Sequence, residues 1–170
     1  MAEALLARRL AALGSAVAVR SGGMLGDGEP PRPEAISVMA GYGLDIGAHR
    51  SRRVTAEDLE AADLTLAMAR ENLRHAVVTA PAVWPRAFTL RELVRRGGVV
   101  GPRAAGEDLA GWLASVHCGR ERAALLGDSP TDDVADPAGG PLDGYAETAE
   151  ILSGLLDQLV GLCWQSRECG

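Results

Sequence analysis

Lysine is missing altogether from this 170-residue sequence, so all seventeen of its basic residues are arginine. Asparagine and phenylalanine each occur once. Codon bias in a GC-rich genome produces this skew, so arginine abundance by itself is no sign of anion binding. No apolar run approaches the roughly 20 residues that a membrane helix needs. Glu3, Arg8 and Arg9 interrupt the amino-terminal stretch, which excludes a signal peptide there and makes the cytoplasm the expected location. Cysteine is scarce: Cys118, Cys163 and Cys169 are an odd number without metal-site spacing, which points to reduced thiols and to no disulfide framework. His49, His75 and His117 are scattered, and neither a metal nor a cofactor is expected. A net charge of −6 argues against a general nucleic-acid partner, because that binding relies on neutralising phosphates.

What is present is an ordinary globular composition, 47% hydrophobic and 24% charged. The length suits one domain, taken as residues 1–162 with a tail at 163–170. Leu5, Leu6, Leu10 and Leu13 predict a helix over Met1–Leu13. That helix has no capping residue ahead of it and an ammonium at the positive end of its dipole, so its start looks cut. Short β segments are expected at Ala16–Val19, Leu64–Met68 and Val83–Phe88. Helices are expected at Glu34–Tyr42, Ala56–Ala61, Glu71–Val77, Thr89–Arg95, Glu107–Val116 and Tyr145–Leu162, with Thr55 and Asp58 forming a capping box. Gly97–Gly106 and Asp128–Gly144 read as loops. Strands alternating with helices imply a three-layer α/β fold, a short parallel sheet with helices on both faces.

Five short motifs follow one another in a recognisable order. The first helix begins Met1-Ala2-Glu3. The turn Arg20-Ser21-Gly22-Gly23 leads to Gly28-Glu29-Pro30-Pro31. Gly43-Leu44-Asp45-Ile46 precedes His49-Arg50-Ser51-Arg52. The run Ala62 to Met68 leads to Glu71-Asn72-Leu73, and Asp132-Asp133-Val134-Ala135-Asp136-Pro137 precedes the final helix. In this order and spacing the chain resembles the low-molecular-weight protein-tyrosine phosphatases, on the fold they share with arsenate reductases. The resemblance implies a four-stranded sheet whose first strand, followed by a Cys-X5-Arg phosphate loop, has no counterpart here. It implies phosphomonoester hydrolysis with a phosphotyrosine protein or small aryl phosphate as substrate.

By that resemblance Asp136 is the general acid that protonates the leaving group. Read alone, it is an Asp in a turn before proline. His49 and Arg52 match a His-x-x-Arg element that supports the phosphate loop; they also read as part of a solvated basic patch with Arg50 and Arg53. Ser21 matches the family's turn serine and equally suits a plain strand end. The departures are larger. No cysteine stands six residues before an arginine: the residue six after Cys118 is Ala124. The expected nucleophile is therefore none, and the chain is expected to be inactive as written. The aromatic residues usual after Asp-Pro are Ala138-Gly139-Gly140 here, and the Asp usual after the third-strand Met is Ala69. The simplest expectation is a truncated or misannotated start, in which case codons upstream encode an apolar strand and Cys-X5-Arg. The alternatives are a non-catalytic phosphate- or phosphopeptide-binding protein, and an arsenate reductase-like protein using the Cys163–Cys169 pair. A missing central strand would leave its two neighbours unpaired in a dry core, unless Ala16–Val19 and Leu64–Met68 close up or another chain fills the gap.

Overall fold

A computed structural model describes residues 1–24, 26–127 and 129–164. Asp128, at the start of the expected late loop, and Cys169 lie outside the described residues. The chain divides into two compact units, one holding residues 1–54 and 135–160, the other 55–134 and 161–170.

The first unit is built on helices. α1 (Ala2–Ala12) buries Leu5, Leu6 and Leu10 and has no side-chain cap. Its Arg9 forks onto Asp157 (Nε to Oδ1, 2.6 Å) and Ser153 (Nη2 to Oγ, 2.7 Å) of the last helix, bidentate geometry that suits a guanidinium. α2 (Pro33–Gly41) starts on a proline, whose fixed φ suits the first helical position, and buries Ala35 and Met39. It ends where Gly43, at φ +69°, lets Leu44 N return to Met39 O at 3.0 Å. The last helix, given the label α7 below (Leu142–Cys163), buries Tyr145, Ala149, Leu152, Leu156 and Leu159 along one stripe.

The second unit holds the sheet. The α3 helix (Ala56–Ala61) is capped as expected: Thr55 Oγ1 accepts from Asp58 N and Asp58 Oδ2 accepts from Thr55 N. β1 (Thr65–Ala67) and β2 (Ala87–Thr89) pair in parallel, Leu66 opposite Phe88. Between them run α4 (Arg70–Thr79) and a 3₁₀ turn over Pro81–Arg86. α4 packs on both strands, and α5 (Leu90–Val100) packs on β2 and on α6 (Leu109–His117). Asp108 caps α6 through Gly111 N at 2.7 Å.

The α/β class and the parallel pairing match the sequence expectation, but the sheet among the described residues is two-stranded and the protein is mostly helical. Ala16–Val19 forms no strand: Val17 is 44% exposed and the segment has no ladder partner. A strand exists only where a neighbour accepts its backbone bonds, and this segment has none. Val83–Phe88 is strand only from Ala87 on; Pro85 lacks the amide a ladder requires, and the residues before Ala87 wind as 3₁₀. The loop expected from Gly97 begins at Gly101, because α5 continues to Val100. Gly97 stays helical for a packing reason, since a Cβ there would meet Trp112 and Leu162 at 3.0 Å.

Candidate functional site

Every residue singled out for the site lies in the first unit. Its organiser is Glu3, in the first turn of α1. Ser21 Oγ donates to Glu3 Oε2, and His49 Nδ1 sits 3.9 Å from the same oxygen. A carboxylate in the first helical turn is favoured by the dipole, and here it also gathers the turn serine and the histidine. Ser21 and His49 are exposed, whereas Arg52 is half-buried.

The backbone around them is laced. Gly23 pairs with Arg53 in a parallel bridge: Gly23 N donates to Arg52 O at 2.8 Å, and Val54 N donates to Gly23 O at 3.0 Å. Ser51 N reaches Glu29 O at 2.9 Å, Gly28 N reaches Ser51 O at 2.8 Å, and Arg53 N donates to Asp27 Oδ1 at 2.5 Å. Gly22 admits this approach, because a Cβ would stand 3.2 Å from that of Val54. The basic stretch His49–Arg53 is thus fastened to the turn that carries Ser21.

Asp136 is exposed, and its Oδ1 accepts from Ala138 N at 3.0 Å while Gly140 N closes onto Pro137 O at 2.9 Å. The carboxylate thus turns onto its own loop, and the side chains after Pro137 offer no aromatic wall.

Just ahead of Asp136, in the second unit, stands a cluster the sequence reading missed. Asp132 is 4% exposed. Its Oδ2 accepts from Arg70 Nη2 and its Oδ1 from Arg95 Nη2, each at 2.8 Å. Asp133 Oδ1 accepts from Arg70 N at 2.8 Å, and Val134 N donates to Met68 O at 2.8 Å. Burial alone would raise the Asp132 carboxyl, but bonds and charge from Arg95 and Arg70 outweigh it and hold the group below its ordinary range. The one clue in the sequence was Ala69, which leaves α4 without a cap. A small cavity of about 20 Å³, lined by Arg70, Leu73, Trp84, Glu92 and Asp132 among others, has room for a water and nothing larger.

Cys118 is exposed and Cys163 buried. Burial pushes the Cys163 thiol up to about 12 against the opposing charge of Arg103, so it is a poor nucleophile at neutral pH. Among the described residues no group of three or more His, Cys, Asp or Glu side chains could hold a metal ion, and no helix is long and apolar enough to cross a membrane.

The profile of the family described as "Low molecular weight phosphotyrosine protein phosphatase" matches residues 1–106. The chain belongs to this family. The curated "Probable low molecular weight protein-tyrosine-phosphatase EpsP" of Ralstonia solanacearum is 33% identical over 93 residues, 55% of this chain. The chain matches only 62% of that relative's length. The crystal structure of the low molecular weight protein tyrosine phosphatase from T. tengcongensis superposes with a TM-score of 0.69 at 34% identity, covering 94% of this chain and 86% of that one. A solution structure of the Bacillus subtilis low molecular weight protein tyrosine phosphatase gives 0.67 at 27%, covering 94% and 84%. A structure described as the YwlE arginine phosphatase gives 0.67 at 26%, covering 93% and 82%. None of the cysteines in the 170 residues stands six positions ahead of an arginine.

Proposed function

We propose that this 170-residue chain presents part of a phosphomonoesterase site without the attacking group, and that it does not hydrolyse phosphate esters. The observation that carries the reading is the absence of any cysteine six residues ahead of an arginine, in a chain that keeps the family's turn serine, His-x-x-Arg and Asp-Pro elements. By the route the resemblance implies, a thiolate forms the S–P bond as the P–O bond breaks, and an acid protonates the departing oxygen. Asp136 fills the second role in this reading and no residue fills the first. His49 and Arg52 act as supports of an anion held near Ser21. The same basic stretch, pinned by backbone bonds, favours a second reading as a phosphate- or phosphopeptide-binding protein. The finer architecture proposed with it is the family's three-layer fold, in a single domain over residues 1–162.

The test is p-nitrophenyl phosphate turnover by the purified chain, together with calorimetric titration of phosphate, a phosphotyrosine peptide and a phosphoarginine peptide. No turnover is expected. Turnover that requires Asp136 would overturn the reading. The arginine-phosphate probe belongs here because Ala138-Gly139-Gly140 provides no aromatic stacking, worth about 0.5–1.5 kcal/mol to an aryl ring. If Asp136 faces the bound phosphoryl group, Asp136→Asn removes a like charge and tightens phosphate binding several-fold; an unchanged affinity, or none, counts against the acid role. The arsenate reductase-like reading requires thioredoxin-coupled arsenate reduction, and none is expected with Cys163 so hard to ionise.

A further inference from the structure

Helix α4 begins without a cap of its own. Ala69 stands at the cap position and has no side-chain oxygen, so the first amide of the helix, that of Arg70, needs an acceptor from elsewhere. That acceptor is Asp133 Oδ1, 63 residues away. The Arg70 side chain turns to the neighbouring Asp132, with Nε at 3.2 Å and Nη2 at 2.8 Å from Oδ2, while Arg95 of α5 takes Oδ1. Asp133 Oδ2 also accepts from Ser129 N at 3.0 Å, which closes the turn on itself. With Val134 N on Met68 O, three consecutive residues are fastened immediately before the loop that carries Asp136.

We infer that Asp132 and Asp133 are positioning residues for that loop, with Arg70 receiving both of them. The inference rests on the reading of Asp136 as the proton donor. The physical argument is one of slack. Two residues of chain span at most about 7 Å, so fastening Val134 limits how far Asp136 can travel. Proton donation requires heavy atoms within about 2.6–3.2 Å, so an error of one or two ångströms at the entry is enough to disable it. A buried carboxylate held by two guanidiniums, next to a half-buried one that accepts a helix amide, is stiff, because each loses its partners if the loop moves.

Amide exchange measured by NMR on the full chain separates this role from one in bulk stability. The amides of Ala138 and Gly140, bonded inside the Asp136 turn, report the loop, and those of Leu10 and Leu156 report the helices of the first unit. In Asp133→Ala, exchange at Ala138 and Gly140 should quicken about tenfold, the size of one lost charge-assisted bond, with Leu10 and Leu156 unchanged. Asp132→Asn should act in the same direction and further. If Asp132→Asn fails to fold, Asp133→Ala, which leaves both ion pairs in place, decides alone. Exchange that is unchanged, or that rises equally at all four amides, overturns the inference. Because exchange makes no reference to phosphate, a failure of the Asp136→Asn titration would remove the acid reading and leave the clamp standing.

Discussion

The two units bury the carboxylates of their ion pairs to different depths. In the second unit those carboxylates are largely covered, Glu92 being 15% exposed and Asp132 6%. The Arg120 side chain is 2% exposed; it forks onto Glu92 at 2.7 and 2.8 Å and lies 3.8 and 4.0 Å from the ring centroids of Trp84 and Phe88. Asp132 is held by Arg70 and Arg95, whose own side chains are 23% and 52% exposed. In the first unit the carboxylates are more open: Asp157 is 65% exposed opposite an Arg9 that is 13% exposed, and Glu3 beside His49 is 32% exposed. Yet the first unit carries every residue that the family resemblance marks for chemistry. A paired carboxylate left near water loses little when its partner goes, while a covered one depends on that partner.

The sharpest way to break this contrast is Arg120→Ala. It strands Glu92 and empties the space between two aromatic rings, and a loss of about 3–5 kcal/mol in urea unfolding is expected. A loss below 1 kcal/mol would show that the second unit is no more dependent on its charges than the first. Acid offers a second probe. The folded-state pKa of Asp132 lies below its ordinary 3.8, so its contribution is fully present above that value and fades as pH falls through the lower folded one. Unfolding followed from pH 5 downward should show wild type losing more stability than Asp132→Asn, and equal slopes would contradict the clamp's electrostatics. A smaller effect is expected from Gly97→Ala. Helix propensity favours alanine by about 1 kcal/mol, but the methyl would press on Trp112, which is 1% exposed and fixed by its Nε1 bond to Gly101 O. A net loss of about 1 kcal/mol should register as a lowered melting temperature. Asp157→Asn should change stability least, by under about 1 kcal/mol, since its carboxylate is mostly in water.

How much of this was legible depended on whether a residue acts on near neighbours. The Thr55–Asp58 capping box, the stripe of Leu152, Leu156 and Leu159, and the β1 segment are local patterns, and each was readable. Gly97 and Gly98 read as a helix end because glycine is a breaker in isolation, and only the ring of Trp112 explains why α5 runs through them. Ala16–Val19 has strand composition but no neighbour to pair with, a tertiary fact that no window of sequence contains. In the candidate site, Ser21, His49, Arg52 and Asp136 were singled out through motif order. Glu3, which joins the first two, went unnoticed because its bond to Ser21 crosses 18 residues. The Arg70–Asp132 contact crosses 62, and arginine is too common in this chain to stand out.

The borrowed cap of α4 has a consequence for the order of assembly. Translation delivers Arg70 well before Asp133, so while the nascent chain lengthens the helix has a frayed first turn that nothing nearby can close. Only after the residues following α6 have been made and drawn back does that end lock. The second unit therefore behaves as a latch thrown from its far end, and a chain interrupted short of residue 133 would carry a helix permanently ajar.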